Sequence, residues 1–487
     1  MGLSSIVRLP GTSSGLAEKP RKSSEEVDHA PEGADEDDTE SFTLAGEVVP
    51  ACIGAPARHR SHRRPVIQAN KKSWAKRKWD ADELNIRCRV LDEEPKNMLL
   101  ALVSQLRIGM DLSKITLPVF VLEPRSMLER VTDFHSHPEL LHGVDKIESP
   151  EDRFIQVLRY YLGGWHIKPR GVKKPYNPVL GEFFRCRYDY PDGTAAYYVA
   201  EQVSHHPPIS AWYFSSPENG LDICGELRPK SKFLGNSAAT SESARCPDSL
   251  FEMGKKADLN WVVRSLVMEG ETHVMLMNKR EDGEYHITMP NMYARGILFG
   301  KMVLELGDTS IVKNEENDIT CDVEFKTKGF FSGTYNAIAG KIKGPKGEIG
   351  EISGTWNEKM DIHRKGFKVK ETLFDASTAK ITQKVVAPED KQSENESRRL
   401  WSKVTAAIKK SDLDAATDAK TVIEDAQREA VRRREEEGAT FKPRFFELTG
   451  ENEYRPIFKV PIDKSAKEQR QAVRDFIYGD DFEPETK

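Results

Sequence analysis

Regularly spaced hairpin signals constrain the fold of this chain more than any other feature. From about residue 180 to residue 372, short segments of alternating apolar and polar residues follow one another, separated by turn residues. The pairs Asp192-Gly193, Asn219-Gly220 and Asp282-Gly283 tolerate positive φ, as tight hairpin turns require. The strand-like segments include residues 196–203, 273–278, 302–305, 320–325 and 351–356. Consecutive hairpins over this length predict a large antiparallel sheet, curled or closed to remove its edges, which can enclose a ligand cavity.

Charge and cysteine content exclude several classes of protein. The chain has 487 residues with 73 basic and 78 acidic side chains, a net charge of −5, which gives no reason to expect a nucleic-acid partner. Its six cysteines lie far apart and form no CxxC pair, so we expect neither a structural metal site nor a disulfide framework. The sequence begins without an apolar signal segment and has no apolar run approaching the roughly 18 residues of a membrane span. These features predict a cytosolic protein that touches membranes only peripherally.

The first 90 residues are predicted to be a disordered, charged tail. Residues 25–40 contain nine acidic side chains, and residues 58–78 contain nine lysines or arginines and no acid. Such blocks bury too little apolar surface to offset the entropy of the chain. The basic block is either a solvated tail or a segment attracted to anionic lipid with the help of Trp74 and Trp79.

The rest of the chain is predicted to form one folded domain over residues 91–465, followed by a C-terminal tail at 466–487. Helices and an apolar segment occupy residues 95–170, where Ser149-Pro150 is expected to start a helix and Gly163-Gly164 to end it. The buried face of that helix is predicted to comprise Phe154, Val157, Leu158, Tyr161 and Leu162. The sheet follows over residues 175–375. The chain then turns helical over 389–437, and an apolar patch from Phe441 to Phe446 is expected to dock the segment up to 460 onto the sheet.

The candidate site is the octapeptide at residues 201–208, with the sequence EQVSHHPP. Two adjacent histidines at the end of a predicted strand are followed by two prolines, which stiffen the backbone there. Neutral histidine has one ring donor and protonated histidine has two donors and a charge, so His205 and His206 suit phosphate oxygens. Structural histidines with satisfied hydrogen bonds are an equal alternative. A zinc site is disfavoured, because neighbouring histidines on a strand point to opposite faces and no cysteine or carboxylate lies nearby at ligand spacing.

The octapeptide closely resembles the fingerprint of the oxysterol-binding protein family, which comprises lipid-transfer proteins. Residues 173–182, with the sequence KKPYNPVLGE, agree with the same family, and a downstream helix carries Lys420, Glu424 and Arg428. The resemblance covers residues from about 95 to 460. It implies an α+β fold in which a large antiparallel β-barrel encloses a lipid tunnel, with an N-terminal lid, helices at the tunnel mouth and a C-terminal helical region.

The resemblance also implies a set of ligand-binding residues, because in this family phosphatidylinositol 4-phosphate places its headgroup at the tunnel mouth. The matching residues are Lys174, Asn177, His205, His206, Lys420, Glu424 and Arg428. Phosphate prefers charge-assisted donors, and a spacing of four residues places the last three on one helix face. Taken alone, that triplet is typical of a surface ion-pair ladder, and Lys174 and Asn177 are typical turn residues. Their coincidence with the histidines favours the binding interpretation.

The resemblance also concerns the second lipid, which is exchanged for the phosphoinositide. Family members exchange the phosphoinositide for either a sterol or phosphatidylserine, and residues 117–129 and 228–236 most resemble the phosphatidylserine-carrying branch. The resemblance implies that Leu117, Val119 and Val121 belong to a lid over the acyl chains and that Ser231 contacts the serine headgroup. Val119 stands where that branch commonly has threonine, which removes a polar contact there. Leu117 and Val119 are also typical core residues, and Ser231 a typical turn serine.

The sequence therefore predicts a carrier that exchanges phosphatidylserine for phosphatidylinositol 4-phosphate between membranes. A sterol exchanger is the alternative within the family, and a phosphoinositide-dependent sensor without net transport is the alternative outside it. We expect no enzymatic activity and no cofactor, because no triad, metal site or phosphate loop assembles from the motifs. We expect a monomer in the cytoplasm, in peripheral contact with anionic membranes where the endoplasmic reticulum meets the plasma membrane.

Overall fold

The structure of the chain is a computed structural model, which describes residues 119–167, 173–233, 264–295, 303–328, 333–450 and 452–484. The predicted disordered tail and the first part of the predicted lid, including Leu117, lie outside the described residues.

Strands account for more of the described residues than helices do. They are β1 Leu122–Ser126, β2 Lys174–Tyr176, β3 Phe183–Asp189, β4 Ala195–Ser204, β5 Ile209–Ser216, β6 Leu221–Phe233, β7 Arg264–Glu269, β8 Glu271–Leu276, β9 Glu284–Thr288, β10 Asn291–Arg295, β11 Val303–Asn314, β12 Ile319–Lys326, β13 Ala337–Gly344, β14 Gly347–Thr355, β15 Lys359–Arg364, β16 Glu371–Asp375, β17 Lys384–Val385, β18 Phe446–Leu448 and β19 Tyr454–Pro456. The helices are α1 Met127–Arg130, α2 Pro150–Gly163, α3 Ser397–Leu400, α4 Ser402–Lys409, α5 Leu413–Glu436 and α6 Ala466–Tyr478. Short 3-10 helices lie at Val119–Val121, Val131–His135, Pro138–Leu141, Val144–Lys146, Pro217–Asn219, Arg280–Asp282 and Glu389–Lys391.

Fifteen strands form one antiparallel sheet, as the hairpin signals predict. The hydrogen-bonded order is β16-β15-β14-β13-β12-β11-β10-β7-β6-β5-β4-β3-β17, and β8 and β9 bridge β6 to β11 beside this path. The sheet branches because β6 is 13 residues long. Its first half pairs with β8 and its second half with β7. Gly193 and Gly220 have φ values of 83° and 67°, the left-handed conformation that the predicted hairpin turns require.

The sheet is curled around a single core. Buried side chains of β3 to β5, such as Phe184 and Phe214, belong to the same apolar cluster as Ile352 of β14 and Phe374 of β16. Strands from opposite ends of the path therefore face one another across this core. Within the described residues, however, the end strands β16 and β17 are not paired with each other. The sequence predicts a sheet that is either curled or closed. Since the end strands are not hydrogen-bonded to each other, the sheet of the described residues is curled.

Helix α2 fills the concave side of the sheet, and its bounds confirm the prediction from the sequence. The Ser149 side chain accepts a hydrogen bond from the Asp152 amide at 3.2 Å, and the helix ends at the predicted glycine pair. All five residues of its predicted apolar face are buried. The buried Arg153 forms an ion pair with Asp282, which ties the helix to the turn between β8 and β9.

Glu182 connects the sheet to the helices that follow it. Its carboxylate is fully buried and accepts hydrogen bonds from the Ser397 hydroxyl at 2.7 Å and the Trp401 indole at 2.9 Å. It also accepts from the Ser126 hydroxyl at the end of β1 and from the Val179 amide at 3.1 Å. Burial raises the pKa of Glu182, and the four donors oppose that rise. One side chain thus holds together β1, the β2–β3 loop, α3 and the start of α4.

Helix α6 lies where the sequence analysis places a C-terminal tail. A capping box formed by Ser465 and Glu468 starts the helix, and Val473 and Ile477 are fully buried. They pack on the outer face of β3 to β5 together with Phe445 and Phe446. The domain boundary at 465 is therefore wrong, because the helix has an apolar stripe that the sheet covers. None of the helices in the described part of the chain is long and apolar enough to cross a membrane.

Truncation of Ile477 tests whether α6 belongs to the folded unit. We expect Ile477→Ala to lower the free energy of unfolding by about 3 kcal/mol, because it leaves a cavity in a closed apolar cluster. Urea denaturation followed by circular dichroism measures this. Ile462→Ala is the control, since Ile462 is 59% exposed. Equal stability of the two variants would show that α6 is a loosely attached tail.

Replacement of Glu182 tests its role as a connection. We expect Glu182→Ala to lower the free energy of unfolding by about 3 kcal/mol or more, because four buried donors lose their acceptor. Glu182→Gln keeps one acceptor oxygen and should lose less. The same denaturation experiment compares both with Glu371→Ala, a change at an exposed glutamate. A Glu182→Ala variant as stable as that control would contradict the assignment.

Candidate functional site

The two histidines of the octapeptide form a tight turn between β4 and β5. The Ser204 hydroxyl donates to the Pro207 carbonyl at 2.7 Å. The side-chain amide of Gln202 donates to the Ser204 carbonyl at 2.8 Å. The rings of His205 and His206 lie edge to face with centroids 4.6 Å apart. His206 is exposed, whereas His205 is half-buried. The turn therefore presents the pair at the rim of the sheet in a fixed arrangement.

The other residues of the octapeptide hold the structure together. The buried Glu201 carboxylate accepts hydrogen bonds from the amides of Arg444 and Phe445 at 2.8 and 2.9 Å, which anchors the segment that follows α5. Burial raises the pKa of Glu201. Gln202 is buried and accepts from the Ser210 hydroxyl at 2.6 Å. The motif is thus partly structural, and its two histidines are the side chains aimed away from the core.

The β2–β3 loop lies directly beside this turn. The Gly181 amide donates to the Gln202 carbonyl at 3.0 Å, and the Gln202 amide donates to the Glu182 carbonyl at 2.8 Å. The Pro178 carbonyl lies close enough to His205 to act on its pKa. Asn177 is exposed at the tip of this loop, and Lys174 is half-buried in β2, which leads into it. The fold therefore brings both halves of the sequence resemblance, at 173–182 and 201–208, to one place.

Helix α5 contacts the same loop from the other side. The Gln427 side-chain oxygen accepts a hydrogen bond from the Leu180 amide at 3.2 Å. On the same face, Lys420 forms an ion pair with Glu424, which lies close enough to His205 to influence its pKa. Because a helix turns by about 100° per residue, Gln427 lies within about 20° of Lys420 around the axis.

The Arg428 side chain lies outside the face of α5 that covers the β2–β3 loop. It is turned about 80° from Lys420 around the helix axis. Its side chain is 62% exposed and forms an ion pair with Asp425. Sequence analysis included Arg428 and missed Gln427, because the spacing of charged residues does not tell which helix face the loop covers. The half-buried positions of α5, which mark that face in the structure, are 419, 420, 423, 424, 427, 430, 431 and 434.

The environment of His205 favours its neutral form. Burial lowers the pKa of His205, and the neighbouring His206 lowers it further, whereas the Pro178 carbonyl and Glu424 act in the opposite direction. Its Nδ1 atom is buried and has no hydrogen-bond partner among the described residues, and the same holds for the side-chain nitrogen of Gln427. The site thus combines a cationic lysine with a buried ring nitrogen and a buried amide nitrogen that lack partners among the described residues.

The predicted lid residues have different environments. Val119 and Val121 are buried, and Val119 packs against Trp401, Val404 and Ala416 on α4 and α5. Ser231 lies in β6 opposite Leu266, but its side chain is outside the described part of the structure, as is Leu117 altogether. The valine that stands in place of threonine thus joins an apolar contact with the helices at the site.

A cavity on the concave side of the sheet has an aromatic lining. Its walls include Phe134, His135, Tyr160, Trp212, Thr272 and Met289. Burial lowers the pKa of His135 to about 3, so this ring is neutral at physiological pH. Among the described residues no charged side chain lines this cavity, which is small and apolar in character. The sequence analysis did not single out these residues, because they are far apart along the chain and belong to helices and strands that meet only in the fold.

Glu271, His273 and His286 form a cluster whose ligand atoms lie within 4.8 Å of one another. The Arg455 guanidinium of β19 lies 3.0 Å from the His273 ring, and Glu284 lies 3.1 Å from the same nitrogen. A fixed cation at this distance disfavours a metal ion. The cluster instead attaches the β18–β19 hairpin to the sheet.

Comparison with known proteins agrees with this geometry. Residues 101–411 and 404–471 match the family described as Oxysterol-binding protein. An oxysterol-binding protein homologue of Schizosaccharomyces pombe is 45% identical over 402 residues, which cover 80% of this chain and 78% of the relative.

Two solved structures have the same fold. The Osh1 ORD domain in complex with cholesterol superposes with a TM-score of 0.58 at 23% identity, covering 80% of this chain and 93% of the other. The Osh3 ORD of Saccharomyces cerevisiae in complex with PI(4)P gives 0.55 at 20% identity, covering 78% and 93%. With a sequence relative this similar and a family match over most of its length, the chain belongs to the oxysterol-binding protein family, a family of lipid-binding and lipid-transfer proteins.

Proposed function

We propose that this protein carries lipids between membranes and exchanges phosphatidylserine for phosphatidylinositol 4-phosphate. The observation that carries the proposal is the juxtaposition of the histidine turn, the β2–β3 loop and the inner face of α5 at the rim of the sheet. These elements surround a cation and unpartnered nitrogens at one place. The apolar, aromatic interior on the concave side of the same sheet is the proposed environment for the acyl chains.

The headgroup of phosphatidylinositol 4-phosphate fits the rim site by charge. Its phosphates prefer charge-assisted donors, which His205, His206 and Lys420 can supply. Glu424 orients Lys420 through their ion pair, and Asn177 at the loop tip suits an inositol hydroxyl. Lys174 belongs to the proposed set by its place in β2. Arg428 is kept in it only on the sequence resemblance, since its side chain lies on a neighbouring face of α5. The structure of the related Osh3 domain contains PI(4)P, which supports this ligand.

Burial of the acyl chains makes the protein a carrier. Each methylene group removed from water contributes about 0.8 kcal/mol, so a lipid leaves the protein slowly except at a membrane. Two lipids that use the same interior bind one at a time. A phosphoinositide gradient between two membranes can then drive the second lipid against its own gradient.

Phosphatidylserine is proposed as the second lipid on the resemblance of residues 117–129 and 228–236 to the phosphatidylserine-carrying branch. Leu117, Val119 and Val121 would cover the acyl chains, and Ser231 would contact the serine headgroup. A sterol is the second candidate, because the related Osh1 domain was solved with cholesterol. We further propose that the protein acts as a monomer in the cytoplasm and contacts anionic membranes peripherally, at sites between the endoplasmic reticulum and the plasma membrane.

Extraction of labelled lipids from liposomes tests the proposed function. Phosphatidylserine, a sterol and phosphatidylinositol 4-phosphate are offered in parallel to the full chain. We expect uptake of phosphatidylserine and the phosphoinositide. We expect His205→Ala/His206→Ala to reduce phosphoinositide uptake by about ten-fold or more while phosphatidylserine uptake persists, because two charge-assisted hydrogen bonds are lost.

Lys420→Ala and Lys410→Ala form a matched pair for this assay. Both remove one positive charge, but Lys410 is an exposed residue beyond the end of α4, whereas Lys420 faces the loop. Only the former should weaken phosphoinositide uptake. Sterol uptake in place of phosphatidylserine would favour the sterol exchanger. Membrane binding without any lipid uptake would leave a sensor and overturn the transport proposal.

The pH dependence of phosphoinositide binding tests the role of His205. Its pKa is lowered in the free protein, and a bound phosphate favours the imidazolium, so affinity should rise as pH falls below the ordinary histidine range. Up to about ten-fold per pH unit is available from one coupled proton. Because the lipid phosphate also changes its charge with pH, the measured quantity is the difference in affinity between wild type and His205→Gln from pH 5 to 8.5. A constant difference over that range would exclude the coupling.

A further inference from the structure

Four neighbouring strands contribute side chains to one level of the interior. Trp212 of β5 is paired with Gly225 of β6, and Gly225 is paired with Thr272 of β8. Thr272 is paired in turn with Ile287 of β9. Paired residues lie side by side across strands, so these positions share one level of the sheet. A Cβ atom at Gly225 would lie 2.7 Å from the Trp212 ring, so the glycine allows the indole to lie over β6.

The helical segments inside the sheet meet this level from the other side. Phe134, Tyr161 and Trp165 line the same cavity as Trp212. The rings of Phe134 and Trp165 pack edge to face with centroids 4.8 Å apart. The Tyr161 hydroxyl lies 2.6 Å from the Ser310 hydroxyl of β11. These four aromatic residues, Phe134, Tyr161, Trp165 and Trp212, thus form an aromatic layer across the interior whose side chains are held in place.

The space left within the aromatic layer is small. Its cavity has a volume of about 20 Å³, which is room for about one water molecule. An acyl chain that reaches the layer cannot pass it without moving several packed rings, and closely packed interiors resist such movement. The layer is therefore an end wall of the interior.

The depth of this wall below the histidine turn matches the length of an acyl chain. Trp212 lies three residues after Ile209, the first residue of β5, which corresponds to about 10 Å along the strand. His205 and His206 lie beyond that end of the strand. One leaflet of a bilayer accommodates acyl chains within about 15 Å, half of its hydrocarbon thickness. A lipid whose headgroup binds at the histidine turn thus has room for its chains as far as the layer.

Met289 lies where the end of such a chain would meet the wall. It lines the cavity and also packs with Leu227 and Met268. Leu227 is paired with Ser210, which is two residues nearer the histidine turn than Trp212. The Met289 side chain therefore connects the aromatic layer to the part of the interior nearer the rim. Methionine is unbranched and fills irregular spaces, so its size affects how much room the chain end has.

We propose that the aromatic layer, together with Met289, sets the length of acyl chain that the protein accepts. The inference rests on the proposed function, because it concerns the chains of the lipid that the protein carries. A chain that ends at the layer buries all of its methylene groups, and each contributes about four-fold to affinity. A longer chain must leave part of itself outside the interior or displace a ring. The layer thus favours lipids whose chains match its depth.

Competition among chain lengths tests the inference. The full chain is incubated with liposomes that contain equal amounts of dimyristoleoyl, dipalmitoleoyl, dioleoyl and dieicosenoyl phosphatidylserine, and the extracted lipids are identified by mass spectrometry. A parallel series uses phosphatidylinositol 4-phosphate with the same chains. The measured quantity is the ratio of dieicosenoyl to dioleoyl lipid in the extract. Comparing this ratio between variants cancels the cost of removing each lipid from the membrane.

Opposite changes at Met289 should shift this ratio in opposite directions. Met289→Ala enlarges the space at the wall and should raise the ratio by about four-fold, the contribution of one more buried methylene group. Met289→Phe fills the space and should lower the ratio to a similar extent. Trp165→Phe, which replaces an indole of the wall by a smaller ring, should also raise it.

Met277→Ala is the matched control. Met277 and Met289 are both 9% exposed, but Met277 belongs to the apolar cluster on the outer face of the sheet. Its truncation should leave the ratio unchanged. Thermal unfolding of each variant identifies any that does not fold, and the two enlarging variants change different walls of the cavity, so either can carry the test.

The results distinguish this inference from the proposed function. The same ratio in wild type and in all folded variants of Met289 and Trp165 would overturn the inference while lipid uptake persists. A shift of equal size in Met277→Ala would also overturn it, because the effect would then come from lowered stability. A wild-type protein that extracts neither lipid would overturn the proposed function itself, and the inference with it.

Discussion

The buried carboxylate of Glu182 is the interaction on which the geometry of the rim depends. It is fully buried, and four donors from three separate parts of the chain converge on it. A buried anion is costly unless its hydrogen bonds are satisfied, so the donors and the acceptor require one another. Because two of the donors belong to α3 and to the residue before α4, the position of α5 over the β2–β3 loop follows from this network. Without it, the loop and the helix would meet only through weaker contacts.

The octapeptide at residues 201–208 has two separate physical roles. Glu201 and Gln202 form hydrogen bonds with neighbouring backbone and hydroxyl groups inside the protein. Their neighbours His205 and His206 extend beyond the end of the strand to the rim. The buried Glu201 carboxylate makes the adjacent histidine turn rigid. The rings of His205 and His206 therefore hold their positions before a ligand binds. A site built this way loses little conformational freedom on binding.

The two rims of the curled sheet differ in chemistry. At one rim, α2 closes the concave side, and the ion pair of Arg153 with Asp282 anchors it to the strand turns. At the other, the histidine turn, the β2–β3 loop and α5 enclose two buried nitrogens, of His205 and Gln427, that have no hydrogen-bond partner among the described residues. Between the rims lies an aromatic interior with a neutral His135. This order, from a polar rim through an apolar interior to a closed base, matches the amphipathic character of a membrane lipid.

Sequence alone determined the antiparallel sheet, the bounds of α2 and the family, because turn chemistry, capping and short motifs act locally. It could not decide which side of α5 faces the loop, so it selected Arg428 rather than Gln427, which the Leu180 amide contacts. It also placed α6 in a tail, since an apolar stripe of Val473 and Ile477 acquires meaning only when a sheet covers it. Two partners of Glu182, Ser397 of α3 and Trp401 just before α4, lie more than 200 residues away in the sequence. Contacts between residues this far apart in the sequence depend on how the whole sheet packs against its helices, and only the tertiary structure decided them.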